Sequence, residues 1–93
     1  MIERDGNRLR VSGALTLASA GALNEAVRQH LSGDIVVDLA GVTEVDSVAL
    51  SLLFEWRRAA HNNNCRIAFN NLPESLQSLA ALYGVADLVA SNA

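Results

Sequence analysis

Three acids fall within nine residues, Asp38, Glu44 and Asp46, and the last is followed by a hydroxyl, Ser47. Carboxylates this close in sequence can ligate a divalent cation or divide general acid and base roles between them. Neither chemistry is complete here, because no His or basic residue lies in the same stretch. The plainer assignment makes Asp38 a strand-end acid, Glu44 a loop acid and Asp46 a helix cap, whose side-chain oxygen accepts from the free N–H groups of the first turn. Ser47 as a hydrolytic nucleophile needs a base and a Gly-x-Ser-x-Gly elbow. Val45-Asp46-Ser47-Val48-Ala49 has neither glycine.

The remaining reactive side chains also read as structural. His30 and His61 fall near predicted helix C-termini, where the dipole favours an imidazolium. Cys65 is the only cysteine and alternates with Ile67 in a predicted strand, so a buried thiol in a reducing compartment is expected. All seven basic residues are Arg. The absence of Lys excludes a P-loop, a Schiff-base enzyme and a receiver-type phosphorelay site, each of which needs a Lys amine. A net charge of −3 and Arg residues scattered from Arg4 to Arg66 argue against nucleic acid as a partner. No apolar run approaches a membrane span and no signal peptide precedes the first strand, so a soluble cytoplasmic protein is expected, with neither metal nor cofactor.

Such residues must be positioned by a fold, and ninety-three residues are enough for one domain, 1–93, that buries roughly two-thirds of its unfolded surface. Asp34–Ala40 holds Ile35, Val36, Val37 and Leu39 without alternation, which predicts a central strand covered on both faces. Gly41 is expected to break it. A loop then leads to a helix starting at Asp46 or Ser47, with Val48–Ala60 as its body. The hydroxyl of Ser47 is thereby delivered to a helix N-terminus at the C-terminal edge of a sheet, where open α/β sheets dock ligands and partners.

Before this unit, residues 1–12 read as a hairpin turning at Asp5-Gly6, with Leu9 and Val11 facing the core. Residues 13–18 form a connection, and Ser19 is expected to cap a helix running to about Leu31, ended by Ser32-Gly33. Its Leu23, Val27 and Leu31 repeat every four residues. After the polar exit loop His61–Asn64, Cys65–Asn70 reads as a strand. Pro73 suits a first helical position, Leu76, Leu79 and Leu82 form an apolar stripe, and Gly84 is a stop. Val85–Val89 could add one short helical turn. The order β-β-α-β-α-β-α predicts an α/β fold, a small mixed sheet with an antiparallel opening hairpin and parallel strands linked by right-handed crossovers.

The central helix carries the most functional information. At 100° per residue, Ala49, Leu53, Trp56 and Ala60 make the core face, and Ser47, Ser51, Glu55 and Arg58 lie opposite. Val48 and Leu52 remain beside the Ser47/Ser51 side, and Leu50 and Phe54 on the other edge. One helix rarely buries so wide an arc. The surplus is either covered by neighbouring helices or forms a docking surface, apolar at its centre and rimmed by hydroxyls and Glu55.

Val37-Asp38-Leu39-Ala40-Gly41-Val42-Thr43-Glu44-Val45-Asp46-Ser47-Val48-Ala49-Leu50 resembles the signature of STAS domains, the anti-sigma-factor-antagonist fold. In that signature a strand ends in Asp-Leu-Ser/Ala and a helix opens with Asp-Ser/Thr-x-Gly-Leu. The likeness spans nearly the whole chain. The closing Leu82-Tyr83-Gly84-Val85 also looks like the family pattern, and within the family the short length and the closing Leu82-Tyr83 resemble the MlaB-type subunit of ABC transporters that move phospholipids between Gram-negative membranes. Antagonists of the classical type are phosphorylated at a second hydroxyl, which aligns with Val48 here, and Ala49 replaces the usual Gly. That switch is chemically impossible at Val48.

The MlaB-type pattern keeps only the first hydroxyl, corresponding to Ser47. The resemblance thus implies a non-catalytic accessory subunit at the cytoplasmic face of the inner membrane, which binds the transporter's nucleotide-binding subunit and needs no small-molecule substrate. Its docking face would comprise Thr43, Asp46, Ser47, Val48, Ser51, Leu52 and Glu55. The alternative is an anti-sigma-factor antagonist or other partner-switching regulator. Phosphate on Ser47 is favoured by the helix N-terminus and opposed by Glu44 and Asp46, and no physiological phosphorylation is expected there.

Overall fold

The opening hairpin closes through Gly6, whose φ of +63° suits its missing Cβ, and Asn7, with Asp5 paired to Arg8. It joins β1 (Ile2–Asp5) to β2 (Arg8–Leu15) in a computed structural model that describes residues 2–85. The chain continues through α1 (Leu17–Arg28), β3 (Ile35–Val45), α2 (Ser47–Asn62), β4 (Ile67–Asn70) and α3 (Glu74–Leu82). The sheet order is β1-β2-β3-β4, antiparallel in the first pair and parallel in the other two. This is the predicted small mixed sheet. The proposed turn within Val85–Val89 falls outside the described residues beyond Val85.

One core forms between the helices and a single face of the sheet. Leu9, Val11, Val37, Leu39 and Phe69 meet Leu23, Val27, Leu53, Trp56 and Leu76 there. Trp56 is fully buried, and its indole N–H donates to Asn24 Oδ1 at 3.1 Å, so burial leaves no donor unmet. The opposite face corrects the expectation that β3 is covered on both sides. Val36 is only half-buried and Ala40 is exposed, while Asp38 is buried on that side by pairing with Arg8 at 2.8 Å. No helix of the described residues is long and apolar enough to cross a membrane.

Several element ends differ from the sequence reading. α1 is capped at Thr16, and Ser19 occupies the third helical position, where its Oγ accepts from the Thr16 N–H at 3.0 Å and donates to the Ala14 carbonyl. Two capping residue types three apart are ambiguous in sequence, and the reciprocal bond favours the earlier start. The helix stops at Arg28, although Leu31 beyond it is still buried. α2 runs on to Asn62 and closes with Asn64 at φ +57°; Cys65 N–H returns to the Ala60 carbonyl and Asn64 N–H to that of His61. β4 begins at Ile67 rather than Cys65, which is nonetheless buried.

α3 ends in the same way, with Gly84 at φ +70° and Val85 N–H bonded to the Ala80 carbonyl, both bonds of a Schellman closure being present in each case. Pro73 takes the cap rather than the first helical position. The Leu76–Leu79–Leu82 stripe does not hold: Leu82 is 78% exposed and Ala80 is buried instead. A spacing of three lags the helix by about 60° per step, so the stripe rotates off the core within two steps.

Candidate functional site

Gly41 does not break β3; it carries the strand through a bulge. Arg10 pairs with Asp38 but Ser12 with Gly41, and Gly13 with Val42 but Ala14 with Glu44, so β3 holds an extra residue at two points. A Cβ on Gly41 would lie 2.8 Å from Ser12 Cβ, and its absence lets the strands close at the first bulge. The two bulges destroy the alternation of residues 41–45, which is why this stretch reads as loop in the sequence. Thr43 and Glu44 are exposed on it, and Val45 still pairs with Leu15 at the sheet's end.

There the first residues of two helices converge on one carboxylate. Asp46 caps α2, its Oδ1 accepting from Val48 N–H at 2.9 Å. Its Oδ2 accepts from Leu17 N–H at 3.1 Å, at the start of α1. The cap expected at Asp46 or Ser47 is therefore Asp46, with a second role that local sequence cannot show. The bridge ties the start of α1, where Leu17 is 73% exposed, to the residue that precedes the exposed Ser47. Leu17 was missed as a site residue because it lies in a stretch read as connection. Its only signal is a large apolar residue between two capping hydroxyls, Thr16 and Ser19.

The other predicted residues separate. Ser51 is exposed and Val48 half-buried on the same face, whereas Leu52 is only 6% exposed and belongs to the core. Leu52 supports the face from beneath, because the apolar arc of α2 is wide enough to be covered by both α1 and α3 packing against it. Glu55 is half-buried and pairs with Arg58 and, at 3.9 Å, with Arg28 of α1. Leu50 is buried. Between α2 and the end of α3, an open groove of about 320 Å³ is lined by Ser47, Val48, Ser51, Phe54, Tyr83 and Val85. Tyr83, 59% exposed, forms its outer wall and is a second residue the helix wheel alone could not assign to this face.

The three acids do not converge. Asp38 lies on the open sheet face, where the Asn71 amide holds its carboxyl below the usual carboxylate range, aided by Ala40 N–H and Arg8 and opposed by burial. Asp46 is bound to two amides and Glu44 is exposed on the strand. Among the described residues no three His, Cys, Asp or Glu side chains stand close enough to hold a metal. His30 lies just beyond α1, its carbonyl accepting from Arg4 at 3.2 Å, and His61 is in the last turn of α2. The site offers hydroxyls, one acid and apolar surface at two helix N-termini, an arrangement suited to docking.

A family model described as MlaB, STAS domain, matches residues 1–90. A comparison with curated proteins finds no significant match. Among solved structures the fold is similar to an anti-sigma factor antagonist, SpoIIAA in its unphosphorylated form, with a TM-score of 0.67 and 12% identity over 88% of this chain and 81% of that one. A Thermotoga maritima protein assigned as an anti-sigma factor antagonist superposes with a TM-score of 0.74 and 13% identity, covering 96% of this chain and 81% of its own. Mglu matches with a TM-score of 0.60 and 25% identity over 80% of this chain, which spans only 19% of Mglu.

Proposed function

The chain belongs to the MlaB STAS domain family, and from that membership we propose that it is a non-catalytic accessory subunit of a phospholipid-transporting ABC system. It acts by binding the transporter's nucleotide-binding subunit in the cytoplasm, which brings it to the cytoplasmic face of the inner membrane. The observation that best supports this reading is the rim at the two helix N-termini, where Asp46 joins the start of α1, with exposed Leu17, to the start of α2, with exposed Ser47. An apolar edge with hydroxyls around it resembles the centre and rim of a protein interface. Thr43, Ser47, Val48 and Ser51 contact the partner in this proposal, Asp46 holds the edge in shape, and Glu55 lies at its margin.

The likeness to two anti-sigma factor antagonists motivates a second reading, a partner-switching regulator. Val48 counts against the classical form of that switch, since it has no hydroxyl to phosphorylate. Co-purification with the nucleotide-binding subunit tests the proposal. Ser47→Arg places a long cation on the rim, and complex formation should weaken by about 2 kcal/mol or more, roughly thirty-fold, while the melting temperature stays near wild type. Undiminished binding by Ser47→Arg would remove the rim from the interface. Failure of the wild-type protein to bind that subunit, with capture of an anti-sigma protein instead, would favour the second reading.

A further inference from the structure

Among the described residues the large apolar side chains left exposed are Leu17, Leu82 and Tyr83. Leu17 begins α1, which Asp46 ties to the start of α2, and Tyr83 closes α3 and walls the groove of about 320 Å³ that runs past Ser47, Val48, Ser51 and Phe54. Leu82 directly precedes Tyr83. No charged side chain is in the lining of this groove. Its volume is at the low end of small-molecule sites and it is open to solvent, so it suits a large side chain or two of a partner better than an enclosed ligand.

Charge limits what can enter. All seven Arg lie towards the other end of the sheet: those of the hairpin reach no further than Arg10, which pairs with Asp38, and Arg66 precedes β4. Those of α1 and α2 fall ten or more residues past each helix start, about 15 Å along the axis. The acids are nearer. Asp46 Oδ1 stands 2.9 Å from the backbone N of Val48, a groove residue, and Glu44 is exposed two residues before Asp46. We infer that the occupant is a segment of the nucleotide-binding subunit that sets a large apolar side chain against Val48, Phe54 and Tyr83, with a Lys or Arg beside it facing Glu44 and Asp46. The inference rests on the proposed function and extends its interface across the groove to α3. An acidic segment is repelled at that margin, and an exposed aromatic wall is the kind of residue that carries binding energy at an interface.

The test is calorimetric binding of the full chain to the nucleotide-binding subunit at low and high salt. Tyr83→Ser should weaken binding roughly tenfold or more. Glu44→Gln should weaken it about threefold at low salt and reduce its dependence on ionic strength, whereas Arg57→Gln, far down α2, should leave it unchanged. Tyr83 and Glu44 are exposed, so both folds should survive, as melting curves will check. Replacing Tyr83 with the photoreactive benzoylphenylalanine should, on irradiation, join the chain to a stretch of the subunit that holds an apolar residue within a helical turn of Lys or Arg. If Tyr83→Ser unfolds, this crosslink and Glu44→Gln carry the test. A crosslink to an acidic stretch, or wild-type affinity in both Tyr83→Ser and Glu44→Gln while Ser47→Arg fails to bind, overturns the inference and leaves the rim standing. Failure of the wild-type chain to bind the subunit overturns the inference together with the transporter reading.

Discussion

Replacing Asp46 with Ala removes two hydrogen bonds from one point, and their separate contributions can be distinguished. The cap on Val48 N–H has good length at 2.9 Å, and loss of such a cap costs about 1 kcal/mol. The bond to Leu17 N–H is longer and exposed, so water replaces it in part, and about 0.5 kcal/mol is appropriate. The sum, about 1.5 kcal/mol, corresponds to a fall in melting temperature of about 6–12 °C for a domain of this size. Asn caps as well as Asp, but it presents only one oxygen, so Asp46→Asn should retain the α2 cap, lose the link to α1 and melt only about 2–4 °C lower. Thermal unfolding followed by circular dichroism, with amide exchange at Leu17 and Val48, reads both parts. In the Asn variant Leu17 should exchange faster while Val48 stays protected. An Asp46→Ala protein melting within about 2 °C of wild type would refute the reasoning, and equal losses in the Asn and Ala variants would show that the two bonds are not separable.

Leu52→Glu should unfold the domain much as Leu53→Glu does, by about 3 kcal/mol or more, because Leu52 is buried; a near-wild-type melting curve would return it to the exposed face. Gly41→Ala forces a Cβ to within 2.8 Å of Ser12 Cβ and should cost about 1–3 kcal/mol in urea unfolding, with Ser12→Gly in the same chain restoring part of the loss. Asp38→Asn should destabilise the protein at neutral pH and flatten its acid dependence. The folded Asp38 carboxyl titrates below its unfolded value near 3.9, so its stabilisation is present above that value and is lost as pH falls through the lowered folded one. The gap between wild type and Asp38→Asn in urea unfolding should therefore narrow from pH 7 towards pH 3, and a constant gap would contradict the assignment. For Ser47, intact mass of protein from its native host should show no stoichiometric phosphate.

The core face of α2 was legible in the sequence, and Ala49, Leu53, Trp56 and Ala60 are all fully buried. Helical periodicity is a local property, so the direction of a face can be read without knowing what covers it. The same holds for the apolar face of β2, for the Gly84 stop and for an acid cap before Ser47, but not for β3, whose unalternating run was read as covered on both faces. The width of the buried arc is another matter. Leu52 lies on the margin of the wheel, and whether a marginal residue is core depends on how closely α1 and α3 approach, which no window of α2 contains. Gly41 was misread for the same reason: local propensity makes it a breaker, whereas its missing Cβ matters to Ser12 on the adjoining strand, where two bulges re-aim Thr43 and Glu44. Leu17 enters the rim only because Asp46, 29 residues later, holds its amide. Periodicity and capping chemistry act within a few residues and are written in the sequence, but contacts between distant segments arise only when packing selects one register and one approach of helix to helix.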